Sequence, residues 1–297
     1  FNLFDQADKT IIRDENILLG RNSLNKFSNS RISFENNHYL VVTEGVFFND
    51  STSAELMIKL FEQSPSSFPN ALNGNFAGTI YDKRNKKLYI FNDHLSTKTI
   101  YYTYDKENKN FFFSTRLTFL NRLYKKIKYP KTLNYSSLTS LLTLGFVLGN
   151  ETHLKEVKKL EYGSVVQLDL ENFDLKFNKF FDLAEGPKFK YSSYDTTIDQ
   201  LNELFSSALK SNWETDQSEN EKSLSLLSGG MDAKTNVIIA NKLGYKNIST
   251  FTFGESNSLD VKIAQEIAKG EKFDHINRFL DNGIYLNNSI DELGKAN

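Results

Sequence analysis

The stretch Leu224-Ser225-Leu226-Leu227-Ser228-Gly229-Gly230-Met231-Asp232-Ala233-Lys234 carries the most legible chemistry in this chain. An apolar run with the length of a buried strand meets Ser-Gly-Gly, then an acid, then a helix-like run. A strand feeding a glycine turn and a helix start is an anion-binding arrangement. The unpaired N–H groups of the turn point at the ligand, and the helix dipole favours negative charge. Gly229 and Gly230 let the backbone approach a phosphate with no Cβ in the way. Asp232 repels a bare phosphate but is at home beside a Mg²⁺ that neutralises it. The pattern therefore predicts nucleotide chemistry at Leu227, Ser228, Gly229, Gly230, Met231 and Asp232, with Asp232 as the metal ligand.

A lone Ser-Gly-Gly also fits an ordinary strand-to-helix turn. Lys234-Thr235 supplies the end of a P-loop, but Ser228 and Ala233 stand where both of its glycines are needed. The elements around the turn favour a site. Ile248-Ser249-Thr250-Phe251-Thr252-Phe253-Gly254 reads as the next strand, rich in β-branched and aromatic residues. Asp260, Ile263, Ala264, Ile267 and Ala268 then follow a helical period. Strand, helix, strand, helix is the pattern of a parallel sheet with a nucleotide at its carboxyl edge.

At these residues the chain resembles a family. Leu227-Ser228-Gly229-Gly230-Met231-Asp232 is similar to the pyrophosphate loop of ATP pyrophosphatases, usually Ser-Gly-Gly-x-Asp-Ser. Phe251-Thr252-Phe253-Gly254, then Asp260 and Ala264-Gln265-Glu266-Ile267-Ala268, then His275, resemble the next segments of asparagine synthetases. The resemblance implies that the loop holds the pyrophosphate of ATP, that Leu227 and Phe253 contact the adenosine side through their backbones, and that Asp260 belongs to the nucleotide site. The chain departs from the family at Ala233, where a Ser is usual. The lost hydroxyl removes one phosphate hydrogen bond, about 1 kcal/mol or somewhat more.

Composition bounds the rest. The chain has 297 residues, a formal net charge of −1, 39% hydrophobic and 25% charged residues. Its length suggests two domains. The near-zero charge argues against a nucleic-acid or membrane-surface partner. No run approaches the ~18–20 apolar residues of a membrane span, and Phe1-Asn2-Leu3-Phe4-Asp5 opens no signal peptide, so a cytoplasmic location is expected. With Cys 0 there are no disulfides, thiolate metal sites or cysteine nucleophiles. His38, His94, His153 and His275 show no metal-ligand spacing.

Residues 1–180 look β-rich. Short apolar or alternating runs recur at Tyr39–Val42, Phe76–Tyr81, Leu88–Phe91, Ile100–Tyr104, Phe111–Ser114 and Ser164–Leu170, with Asn73-Gly74-Asn75 and Asp105-Lys106-Glu107-Asn108 as turns between them. Helical patterns fall at about Ser53–Phe61 and Ser136–Leu144. Many short strands and few helices suggest two packed sheets covered by helices. The polar stretch Gly186–Ser193 is the best boundary. After it, Ile198, Leu201, Leu204, Phe205 and Leu209 form a helical stripe, expected to pack in a core.

The family resemblance extends into this part. Leu72-Asn73-Gly74-Asn75-Phe76-Ala77 is similar to an Asn-Gly-x-Phe-Ala turn of the family's glutaminase domain. Asp93-His94-Leu95 with Lys98 and Tyr101-Tyr102 resembles Asp-His-x-Gly-x-Lys-Pro-Leu-Tyr-Tyr, and Glu44-Gly45-Val46-Phe47-Phe48-Asn49 parallels Asn-Gly-Glu-Ile-Tyr-Asn. Ser30-Arg31-Ile32-Ser33 matches the Arg-Leu-Ser that grips the glutamine carboxylate. The resemblance thus implies a glutamine-like pocket at Arg31, Asn73, Gly74 and Asp93. It also implies an αββα N-terminal-nucleophile sandwich over 1–185 and the first part of a parallel α/β ATP-pyrophosphatase domain over 194–297. The departures bear on the chemistry. The family's nucleophile is an N-terminal Cys, whereas Phe1-Asn2-Leu3 opens this chain and no Cys occurs in it. Asn92, Ser96 and Thr99 replace an Arg, a Gly and a Pro. No second glycine-rich loop follows His275.

The resulting expectation is an ATP-dependent, amide-forming ligase of the asparagine-synthetase type without glutaminase activity. ATP and Mg²⁺ would serve as cofactors, a small-molecule carboxylate and ammonia as partners, and a homodimer stays open as the assembly. The competing expectation is a non-catalytic nucleotide-binding or scaffold relative. A self-processing N-terminal hydrolase needs Cys, Ser or Thr at its start, and Phe1 argues against it.

Overall fold

The computed structural model describes residues 7–24, 32–48, 52–186, 193–218, 222–245 and 248–286. The chain divides into two compact units, Phe1–Pro187 and Lys188–Asn297.

The first unit is built from strands whose side chains alternate between two cores. Its strands are β1 (Ala7–Arg13), β2 (Leu18–Leu24), β3 (Ser33–Glu35), β4 (Tyr39–Phe47), β5 (Gly74–Asp82), β6 (Lys87–Asn92), β7 (Tyr101–Asp105), β8 (Asn110–Ser114), β9 (Lys158–Lys159), β10 (Ser164–Asp169) and β11 (Leu175–Lys179). An antiparallel six-stranded sheet runs β11-β10-β6-β5-β4-β3, a three-stranded sheet runs β8-β7-β9, and β1 pairs with β2 as a hairpin. Leu40 and Val42 of β4, Ala77 and Tyr81 of β5, Leu88 and Ile90 of β6 and Val166 and Leu168 of β10 share one face. Against it pack Tyr102 and Tyr104 of β7 and Phe111 and Phe113 of β8, with Leu19 of the hairpin in the same core.

The intervening positions face the other way, as the two-residue period of a strand requires. Tyr39, Val41, Phe76, Ile80, Tyr89, Phe91 and Val165 meet Met57 and Phe61 of helix α1 (Ala54–Gln63). On the far side, Tyr101 and Phe112 pack on Leu120 and Tyr124 of helix α2 (Leu117–Ile127). The layers are therefore helix, sheet, sheet, helix, the αββα arrangement that the sequence implies. Each fully buried aromatic or aliphatic side chain in these cores contributes ~1.5–3 kcal/mol. A further helix, α3 (Tyr135–Leu144), is capped by Asn134, whose side chain accepts from Ser137 N. Residues 73–75 do not form the expected turn, since β5 starts at Gly74. There the β4 and β5 backbones approach so closely that a Cβ on Gly45 (φ +135°) would lie 2.1 Å from Asn75 O, and one on Gly74 would lie 2.3 Å from Val46 O.

The second unit comprises α4 (Tyr194–Ser218), β12 (Leu224–Leu226), α5 (Met231–Lys242), β13 (Ser249–Gly254), α6 (Leu259–Glu271) and β14 (Asp274–Phe279). Its strands are parallel, in the order β12-β13-β14. Leu227, Val237, Ala264 and Ala268 form a core between the sheet and α5 and α6. This is the expected strand–helix alternation.

Two expectations are corrected here. The stripe on α4 is not core: Ile198, Leu201, Leu204 and Phe205 are 44%, 60%, 61% and 38% exposed, and only Leu209 is buried, at 9%. The helical period is real, but α4 meets the unit through its second half, where Trp213 packs on Tyr245 with tilted rings 5.6 Å apart. The run Leu224–Leu227 is likewise not a strand buried on both faces. Leu224 and Leu226 are each 61% exposed, while Leu227 is buried. The side of the sheet that carries Leu227, Thr250 and Thr252 is the covered one. Among the described residues no helix is long and apolar enough to cross a membrane.

Candidate functional site

The glycine turn sits between the end of β12 and the start of α5, and two hydrogen bonds and a buried side chain fix its entry. Leu227 N donates to Phe251 O at 2.9 Å, extending the parallel ladder past the strand. Thr252 Oγ1 donates to Leu227 O at 2.5 Å. Leu227 itself is 2% exposed. Beyond it the chain turns outward. Gly230 N donates to Ser228 Oγ at 3.2 Å, and Gly229 N donates to Asp260 Oδ1 at 3.1 Å. Gly230 is the N-cap of α5, in extended geometry (φ −69°, ψ 150°), and no side chain caps the helix.

The first intrahelical bond runs from Lys234 N to Gly230 O at 3.4 Å. The N–H groups of Met231, Asp232 and Ala233 precede it and leave the helix end without an intrahelical partner. By contrast, α6 is capped by Ser258, whose hydroxyl accepts from Val261 N at 3.4 Å. An uncapped helix start behind a glycine turn presents amide donors and the positive end of a dipole to whatever lies in front of it.

Asp232 lies in the first turn of α5, exposed to solvent. Among the described residues no cluster of three His, Cys, Asp or Glu side chains could hold a metal. A single exposed carboxylate such as Asp232 is the kind of donor that binds Mg²⁺ together with substrate phosphates. Phe253 is 57% exposed near the carboxyl end of β13, one strand from the turn. Asp260 opens α6 and reaches the turn directly. The turn residues, Asp232 and Asp260 are thus gathered at the carboxyl edge of the parallel sheet. A groove of ≈ 370 Å³ lies elsewhere, between α6 and β14, lined by Gln265, Lys272, His275 and Asn277 among others. Its polar floor is internally paired, His275 Nε2 and Gln265 Nε2 both meeting Asn277 Oδ1 at 3.1 and 3.3 Å.

In the first unit Asn73, Gly74 and Asp93 lie around the start of β5. Asp93 is 2% exposed. Its Oδ1 accepts from Leu95 N at 2.9 Å, and its Oδ2 accepts from Phe76 N at 3.1 Å and Thr97 Oγ1 at 2.5 Å. Thr97 N adds a shared bond. The carboxylate pins the 93–97 loop to β5. Asn92 supports the same loop from within the sheet, donating to Ser96 Oγ and Glu161 O and accepting from Ser164 N. Asn73 is exposed at the entry to β5, with its carbonyl accepting from Phe48 N at 3.0 Å, and Gly74 faces Phe47 across the ladder. Arg31 lies outside the described residues.

Sequence reasoning missed Thr97, Thr252 and Thr115. The last donates to Glu44 Oε2 at 2.8 Å, while Lys98 sits 3.7 Å from Glu44 Oε1, tying β4 to the second sheet. Small hydroxyl residues of this kind leave no periodic signal in a sequence.

Two antiparallel sheets packed face to face between helices give the first unit an αββα architecture of the N-terminal-nucleophile type. Residues 36–181 match the glutamine amidotransferase domain family. The chain is 27% identical over 247 residues to a probable asparagine synthetase (glutamine-hydrolyzing) of Acanthamoeba polyphaga mimivirus, covering 80% of this chain and 40% of the relative. It is 24% identical over 246 residues to asparagine synthetase (glutamine-hydrolyzing) 1 of Bacillus subtilis, covering 82% and 37%. The first unit is accordingly similar to the glutamine amidotransferase domains of asparagine synthetases. The chain spans about two fifths of the length of these relatives. Among solved structures, glutamine phosphoribosylpyrophosphate amidotransferase from B. subtilis, complexed with ADP and GMP, aligns over 93% of this chain and 56% of its own, at 11% identity and a TM-score of 0.32.

Proposed function

We propose that the chain is part of an ATP-dependent, amide-forming ligase of the asparagine-synthetase type, in which the second unit binds Mg–ATP at Leu227–Asp232 and the first unit lacks glutaminase activity. The observation that carries this reading is the uncapped start of α5 behind Ser228-Gly229-Gly230. Its free amides face outward at the carboxyl edge of a parallel sheet, where α/β folds bind nucleotides.

In this reading the pyrophosphate of ATP lies on the amides of Met231, Asp232 and Ala233, with its adenosine side toward Phe253. A carboxylate oxygen of the substrate acid attacks the α-phosphorus, the bond to the β-phosphate oxygen breaks, and pyrophosphate departs with the electron pair. Ammonia then attacks the acyl carbon of the acyl-adenylate, AMP leaves, and the proton lost from nitrogen passes to solvent. Negative charge grows on the departing pyrophosphate, so fixed N–H donors at the turn favour the transition state over the ground state. Asp232 would hold Mg²⁺, which supplies charge neutralisation of the polyphosphate. A cytoplasmic location accompanies this reading.

Composition and the contacts of Asp93 support the second half of the proposal. No Cys occurs in the 297 residues, and Asp93 is already saturated by loop and strand donors. A non-catalytic nucleotide-binding or scaffold role is the second reading, favoured by Ala233 at a position where the family has a phosphate-binding hydroxyl. Exchange of labelled pyrophosphate into ATP across a panel of carboxylic acids separates the two. Acid-dependent exchange supports the ligase, and nucleotide binding without exchange for any acid supports the scaffold.

A further inference from the structure

The two acids at the turn are placed differently. Asp232 stands in the first turn of α5, whereas Asp260 accepts a hydrogen bond from the turn itself, through Oδ1 and Gly229 N at 3.1 Å. We propose that Asp260 is the specificity-determining residue of the turn: its carboxylate occupies the Gly229 amide as an internal anion and makes the site reject polyphosphates that do not carry a divalent cation. The proposal rests on the nucleotide reading above and deepens it.

The space over Gly229 belongs to Asp260. A Cβ built on Gly229 would lie 2.6 Å from Asp260 Oδ1, 3.4 Å from Asp260 Cα and 3.3 Å from Ile263 Cδ1. A phosphate oxygen seeking the Gly229 N–H therefore meets a carboxylate already bonded to it. The backbone beneath Asp260 is fixed, because α6 is capped at Ser258 and buries Val261, Ala264 and Ala268. What can move is the side chain. Gly230 N is likewise engaged, by Ser228 Oγ at 3.2 Å, so the turn's own two amides both carry internal acceptors.

An incoming trianion or tetraanion is repelled by Asp260 as well as by Asp232, and two carboxylates near one polyphosphate raise the cost of binding it bare. A divalent cation on the polyphosphate reverses the sign of that interaction. The Asp260 carboxylate then exchanges an amide donor for a hard cation that prefers oxygen ligands, and Gly229 N–H is released to the phosphate. The selectivity for metal-bound ligand is thereby built into the resting hydrogen bond.

The test uses inorganic pyrophosphate as the probe, titrated calorimetrically into the chain with EDTA and again with excess Mg²⁺. The proteins compared are the parent, Asp260→Asn, Asp260→Ser and Asp281→Asn. Asp281 accepts from Ser256 N at 2.9 Å and serves as the control acid. Asp260→Asn should tighten metal-free pyrophosphate by about tenfold, equivalent to ~1.4 kcal/mol, and Asp260→Ser by at least as much. Both should shrink the ratio between Mg²⁺ and EDTA affinities, while Asp281→Asn leaves that ratio unchanged. Agreement between the Asn and Ser variants guards against a folding artefact in either.

Metal-free affinity that stays at the parent value in both Asp260 variants overturns the proposal. So does an equal loss with and without metal, which would make Asp260 only a structural staple. If the parent binds Mg–pyrophosphate in those cases, the nucleotide reading stands alone. If no protein binds with Mg²⁺ present, both fall together.

Discussion

Gly230→Val separates the two jobs a glycine can have at this turn. Gly230 has φ −69° and ψ 150°, a conformation open to any residue. The nearest atom to a Cβ built there is Ser228 Oγ at 3.2 Å, the end of a small side chain. The folded chain can therefore accept the substitution. Replacing a glycine N-cap by a β-branched residue costs about 1 kcal/mol, a drop of several degrees in Tm for a unit of this size. Binding should respond far more strongly. The valine methyls occupy the space in front of the amides of Met231, Asp232 and Ala233. Each amide bond to a charged phosphate is worth ~1.5–3 kcal/mol, so losing two removes ~3–6 kcal/mol, more than about a hundredfold in Kd. Gly230→Ala, with a single methyl, should lose about tenfold. Thermal melts and calorimetric titration with Mg–ATP measure the two effects in the same samples. A valine variant that binds with parent affinity refutes the reasoning. One whose loss of affinity is matched by unfolding shows that glycine is needed for the fold instead.

Three further outcomes follow from the first unit. Purified chain should release no glutamate from glutamine, since the sequence has no Cys; turnover blocked by an alkylating glutamine analogue would overturn this. A fragment ending near Glu185 should be soluble and unfold cooperatively, because its two cores draw on its own strands and helices; a molten fragment without a cooperative transition would contradict it. The Asp182 carboxyl is held down from its ordinary 3.8 to about 2, first by the Lys179 ammonium and then by the Ala184 amide and Tyr162 hydroxyl. A depressed folded pKa gives stability that is present above the unfolded value and lost as pH falls through about 2. Asp182→Asn should therefore flatten acid unfolding between pH 4 and pH 2, and an unchanged profile would argue against the contact.

The fold of the first unit was largely legible, because alternation survives wherever one strand feeds two cores. Tyr39–Val42, Leu88–Phe91 and Phe111–Ser114 each split cleanly between the cores. Strand β11 was missed although Leu175 and Phe177 alternate with Lys176 and Asn178, because that alternation spans only five residues of an edge strand. Helix α2 was missed although Leu117, Leu120, Tyr124 and Ile127 recur at helical spacing. The α4 stripe misled in the opposite direction. Its period gave the helix correctly, but periodicity reports a face without reporting what covers that face. At the turn, Ser-Gly-Gly and Asp232 stood out by type and order. The bond from Gly229 to Asp260 did not, since it joins residues on two successive βα connections.

The central claim is that the second unit binds nucleotide through the glycine turn and a metal held at Asp232. Its most direct test is calorimetric titration of the chain with ATP, with and without Mg²⁺, beside Asp232→Asn. The account predicts saturable one-to-one binding that depends on Mg²⁺, with Asp232→Asn losing chiefly the Mg²⁺-dependent part. Absence of binding, or equal affinity in both proteins with and without the metal, would contradict it.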